Sequence, residues 1–83
     1  MRKMNKFLTL NTTSGSPVTT GTIGETQITI ISGLSDHYVK LNGTADTSSI
    51  IIPQGASIDF EIPIGSTISA ISHSGQGHLT VVY

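Results

Sequence analysis

Ser35, Asp36 and His37 stand consecutively, and a hydroxyl, a carboxylate and an imidazole are the parts of an activated nucleophile. To attack a carbonyl, such a serine must be presented on a strained elbow of the Gly-x-Ser-x-Gly type. The run Gly33-Leu34-Ser35-Asp36-His37 has the first glycine, lacks the second, and opens an ordinary alternating strand. Loop hydroxyls ahead of a strand histidine are the plainer reading. Asp59 and Glu61 lie two apart on a period-two segment, which puts them on one face about 7 Å apart, within the range found between glycosidase carboxylates. A sugar-cleaving cleft is hard to build from 83 residues with 5% aromatics, so a solvated sheet face or an interface edge is expected instead.

Three histidines could in principle gather a metal. His73 and His78 flank Ser74-Gly75-Gln76-Gly77, which reads as a hairpin loop. They should then face each other on adjacent strands with Cβ atoms about 5 Å apart. Two ligands do not make a site. His37 becomes a third only if its strand is adjacent, or if a symmetric trimer brings copies onto an axis. No metal and no cofactor are expected, and His73 with His78 reads as a cross-strand polar pair. Ser74-Gly75-Gln76-Gly77 shares only its glycine content with phosphate-binding loops, because no strand-loop-helix context accompanies it. The chemistry-bearing residues therefore point away from an enzyme.

Composition narrows the class further. A chain of 83 residues holds one domain, and a domain of this size buries only about 60–65% of its unfolded surface. There is no cysteine and no tryptophan, so neither disulfides nor thiolate metal sites add stability, and the core rests on Ile, Val and Leu. Small cores without staples lean on neighbours, and a homo-oligomer or a docked partner is expected. Charged residues are 11%, well below the roughly 25% of an average soluble domain, and Ser and Thr carry the polarity instead. Four Lys plus Arg and a net charge of −1 form no phosphate-neutralising patch, which argues against nucleic acid.

The one basic cluster is Met1-Arg2-Lys3-Met4-Asn5-Lys6, followed by the short apolar run Phe7-Leu8-Thr9-Leu10. It lacks the longer apolar core and small-residue cleavage site of a signal peptide, so residence in a cytoplasm is expected at first. No stretch approaches the ~18 apolar residues of a membrane span, and no basic amphipathic helix suggests membrane binding. Residues 1–11 read as an extended arm or a first strand, and residues 12–83 as the domain. Arg2, Lys3, Lys6, Phe7 and Leu8 are the candidate partner-binding residues, because an arm can add a strand to a neighbour's sheet edge.

Strands to position these groups are easy to find. In Thr26–Ser32, Ile28 and Ile30 share one face and Thr29 and Ile31 the other; in the next run His37, Val39 and Leu41 oppose Tyr38 and Lys40. Asn42-Gly43 suits a type I′ hairpin. Ser49–Ile52 reads as a fully buried strand, and in Ser57–Ile62 the residues Ile58, Phe60 and Ile62 face the core. Ile52-Pro53-Gln54-Gly55 and Ile62-Pro63-Ile64-Gly65 repeat about ten residues apart and read as type I turns with Pro at the second position. Thr67–Ser72 and His78–Tyr83 complete the set. The expected fold is all-β: a small antiparallel β-sandwich or roll of about seven or eight short strands with an extended N-terminal arm.

The segments Tyr38-Val39-Lys40-Leu41-Asn42-Gly43, Ile51-Ile52-Pro53-Gln54-Gly55, Phe60 to Ile71 and Gly77-His78-Leu79-Thr80-Val81 together resemble small virion structural proteins of tailed bacteriophages. The resemblance covers a little over half of the chain. It implies a non-enzymatic role in the virion, assembled in the host cytoplasm, in which the chain decorates or cements the outer capsid surface against the major capsid protein or other virion proteins. The alternative it leaves open is a tail, fibre or connector module that binds a host-surface carbohydrate or another virion protein.

Overall fold

From Gln27 to Gly33 the side chains alternate between the interior and the surface, with Ile28 and Ile30 fully buried. This strand is the centre of the computed structural model, which describes residues 6–83. Eight strands follow from the same alternation: β1 (Phe7–Thr12), β2 (Val18–Thr19), β3 (Gln27–Gly33), β4 (His37–Leu41), β5 (Ile50–Ile52), β6 (Ser57–Glu61), β7 (Ile68–Ser72) and β8 (Gly77–Val82). No helix occurs among the described residues. Arg2 and Lys3 lie outside those residues. Lys6 exchanges two backbone hydrogen bonds with Tyr83, of 2.9 and 2.8 Å, at the head of β1.

The strands form two four-stranded antiparallel sheets, ordered β1-β8-β3-β6 (sheet I) and β2-β7-β4-β5 (sheet II). β1 pairs with β8, β2 with β7, β3 with β6 and β4 with β5, as in one long hairpin of β1–β4 against β5–β8. That hairpin is rolled over so that β3 also meets β8 and β4 also meets β7. The result is the strand order of a jelly roll. Inward rows from the two sheets make the core: Leu8, Val81, Ile30 and Ile58 from sheet I stand over Val18, Ala70 and Val39 from sheet II. Each fully buried Ile or Leu contributes about 1.5–3 kcal/mol.

Rolling the hairpin changes what the local turn signals connect. Consecutive strands switch sheets everywhere except at β4–β5. Ser74–Gly77 therefore does not close a hairpin: it carries the chain from β7 in sheet II to β8 in sheet I. The two Pro-x-Gly turns likewise carry it between sheets, and they are not type I. Pro53 and Pro63 occupy the first position, their carbonyls accepting from Ala56 N–H at 3.0 Å and Ser66 N–H at 3.2 Å, and Gly55 and Gly65 sit third with φ of 81° and 86°. Positive φ at the third position alone marks a type II turn. Asn42-Gly43 does fall between paired strands, but the connection runs over residues 42–49 rather than two residues. Asn42 takes φ 54° and its side-chain oxygen accepts from Thr67 N–H at 2.9 Å, tying the loop back to β7.

One buried expectation fails. Ile52 is fully buried, whereas Ile50 and Ile51 are 58% and 46% exposed. β5 is the last strand of sheet II, so no neighbour covers its far side.

Candidate functional site

Because consecutive strands run in opposite directions, the loops 13–17, 34–36, 53–56 and 73–76 come together at one pole. Backbone and side-chain bonds knit them: Ser72 N–H to the Thr13 carbonyl at 3.1 Å, His73 N–H to the Asp36 carbonyl at 2.8 Å, Gln54 N–H to Asp36 Oδ1 at 2.7 Å, and Ser74 N–H to Ser35 Oγ at 3.2 Å. All three histidines lie at or beside this pole.

His37 is fully buried at the start of β4, between the sheets. Its Nδ1 is 2.8 Å from Ser32 Oγ and its Nε2 2.7 Å from Thr12 Oγ1. Ser32 Oγ donates its single proton to the Ser35 carbonyl, so it receives one from Nδ1–H, and Nε2 then accepts from Thr12. The neutral Nδ1–H tautomer thus ties β4 of sheet II to β1 and β3 of sheet I. Burial holds the His37 pKa below the ordinary histidine value, opposed by the Ser35 carbonyl and Asp36 and reinforced by His78. Ser32 and His37 have the composition of a nucleophile and base, but the serine proton points away from the ring and both groups are buried. Ser35 donates its hydroxyl to the Asp36 carbonyl at 3.2 Å. The Ser-Asp-His run is a loop-to-strand junction.

His73 and His78 do not face each other, which corrects the cross-strand pair expected from a hairpin. His73 lies beside Tyr38 of sheet II, with Tyr38 Oη 3.0 Å from Nδ1 and ring centroids 5.7 Å apart. His78 stands in register between Asn11 and Gly33 on the outer side of sheet I. The three imidazoles are thus distributed over the core and both outer faces. Among the described residues no group of three or more His, Cys, Asp or Glu side chains is placed to hold a metal.

Asp59 and Glu61 lie on β6, one of the two edge strands of sheet I, where they line a shallow groove with Gln27, Ile28 and Phe60. Asp59 Oδ1 accepts from Thr29 Oγ1 at 2.7 Å, a cross-strand contact on the outer face. Of the candidate partner-binding residues, Lys6 is exposed, Phe7 is 75% exposed on the edge strand β1, and Leu8 is half-buried against the core. Residues 7–11 are thus woven into sheet I, and only residues ahead of Phe7 can serve as an arm without taking core side chains with them.

The feature that sequence patterning missed is the edge of β5. Ile51, Tyr38 and Ile71 stand side by side across β5, β4 and β7. This strip opens at an edge that carries no charged residue. Three consecutive isoleucines read equally well as a buried strand, so only the strand order exposes them. Comparison with known protein families, with curated proteins and with solved structures finds no match.

Proposed function

We propose that this protein is a non-enzymatic structural component of a bacteriophage virion, one that decorates or cements the outer capsid surface through its sheet edges. The observation that carries this reading is β5, an uncharged edge strand that leaves Ile50 and Ile51 largely exposed. Natural monomers blunt such edges by keeping them short, charging them or covering them; β6 carries Asp59 and Glu61, whereas β5 is three residues long and has no charge. An edge left apolar suits a partner strand, which adds main-chain hydrogen bonds and packs on the isoleucines without a large interface. Jelly rolls recur in viral capsid domains, and that analogy of fold supports the same reading. A second attachment element is the basic segment ahead of β1, with Arg2, Lys3 and Lys6 suited to an acidic patch on the major capsid protein. Many weakly held copies on one particle gain strength by multivalency.

The test is co-sedimentation of the purified protein with empty heads of the phage that encodes it, followed by imaging of the decorated particles. Saturable binding at symmetry-related outer positions is expected. Absence from heads and from mature particles overturns the proposal, and density on the tail or fibre would favour the alternative placement there.

A further inference from the structure

On the outer side of the loop pole a groove of about 340 Å³ runs between the β1–β2, β3–β4 and β7–β8 connections, lined by Asn11, Thr12, Thr13, Leu34, Gln76 and His78, with Gly77. We infer that it is a binding site for a neutral carbohydrate.

The lining has no carboxylate, ammonium or guanidinium, so apart from the His78 imidazole nothing in it offers a counter-charge to an ionic ligand. It instead supplies amides, hydroxyls and an imidazole, groups that donate and accept in both senses, as vicinal sugar hydroxyls require. Asn11, Thr13 and Gln76 are exposed and unburdened by a neighbouring charge in the lining. Leu34 adds an apolar patch for the C–H face of a pyranose and is 66% exposed. Its backbone is held at φ 64°, a region where leucine is strained and where glycine would be at ease. This leucine lies outside the hydrophobic core, in the tight β3–β4 connection at the rim, and strained exposed residues gather at ligand sites.

Beneath the groove Thr12 is held in place. Thr12, only 2% exposed, is anchored from below by the His37 ring. Gly33 leaves room for the His78 ring to lie across it, since any Cβ at Gly33 would collide with that imidazole. The groove contains no Phe, Tyr or Trp ring, so a single site binds weakly, and repetition over many copies would be needed for firm attachment.

The experiment is retention of the full-length protein on an array of neutral and anionic oligosaccharides, then titration of the neutral oligosaccharide that binds best. Saturable binding is expected, with at least a tenfold loss in Gln76→Ala and in Leu34→Gly. The second variant relaxes the backbone, so its loss does not reflect unfolding. Gly33→Ala should also weaken binding by displacing His78, and Asp59→Asn, on the far edge of sheet I, should bind as wild type. Competition by a free methyl glycoside would mark a single sugar as the ligand, and competition only by the oligosaccharide would mark an extended chain; either supports the site. No retention, retention of anionic saccharides only, or unchanged affinity in both Gln76→Ala and Leu34→Gly overturns it. Head binding by these variants reads the decoration role separately, so the two proposals fail independently.

Discussion

Gly77 lies directly against the His37 imidazole: a methyl group on its Cα would stand 2.9 Å from Cε1 and 3.0 Å from Nε2, and 3.2 Å from the Gly33 carbonyl. The ring cannot retreat, because Ser32 and Thr12 hold both of its nitrogens. The first strand residue of β8 is therefore glycine because a histidine buried between the two sheets needs the space.

Gly77→Ala should accordingly destabilise the fold by about 1–3 kcal/mol, the usual cost of overpacking a fixed core. Gly33→Ala meets only the ring end of the His78 side chain on the outer face of sheet I, where it can swing aside, and should cost much less. Urea unfolding of the two variants beside wild type checks the contrast, and equal costs would show that the His37 ring is free to move.

Stability should fall as pH is lowered through the histidine range. The unfolded chain takes up a proton on His37 below about pH 6.5, whereas the buried ring, with its lowered pKa, stays neutral to lower pH. Between the two values the unfolded state binds one more proton, so stability is complete above the unfolded pKa and declines with a slope of up to about 1.4 kcal/mol per pH unit until the folded ring also protonates. Denaturation of wild type and His37→Gln from pH 8 to pH 5 should show that slope in wild type and lose it in the variant, whatever the variant's absolute stability.

The two Pro-x-Gly turns place Gly55 and Gly65 at φ of 81° and 86°, and each also donates to a facing strand or bridge carbonyl, Gly55 to Ser32 and Gly65 to Ile23. Alanine at either site should cost about 1–2 kcal/mol from the left-handed backbone alone, although open space surrounds both. Gly15→Ala, with open space and no positive φ, should be near neutral. Thermal melts of the three variants test this.

Placing a charge on the open edge should separate attachment from folding. Ile51→Lys projects from a position that is 46% exposed, so its effect on stability should stay within about 0.5 kcal/mol. The same change should abolish head binding if β5 receives a partner strand. Retained binding with an unchanged melting temperature would shift attention to the basic segment ahead of β1, and deletion of residues 1–5 would then be the decisive variant.

Much of the architecture was legible from period-two patterning. The inward set Ile28 and Ile30 and the alternation of His37 and Val39 against Tyr38 and Lys40 stand where the residue types put them, and the chain reverses at Gly55 and Gly65 as expected, though in type II turns that start at the proline. The alternation put His37 on one face with Val39, and the structure turns that face inward. The partners of His37 were not legible: Thr12 and Ser32 are a loop-end hydroxyl and a strand hydroxyl among many, 25 and 5 residues away.

By itself the sequence determined that the chain is all-β and, for β3, β4 and β6, which side chains share the inward face, because these depend on backbone stereochemistry and on neighbours two residues apart. Only the tertiary structure decided which strands pair. A turn reverses the chain but does not say whether the next strand joins the same sheet, so Ser74–Gly77 became a crossing between sheets and His73 parted from His78. Pairing β1 with β8 and β3 with β8 spends hydrogen bonds between residues far apart in the chain, and that choice is set by burying the whole core at once. The same choice left β5 at an edge, exposing the isoleucines that the sequence alone would bury.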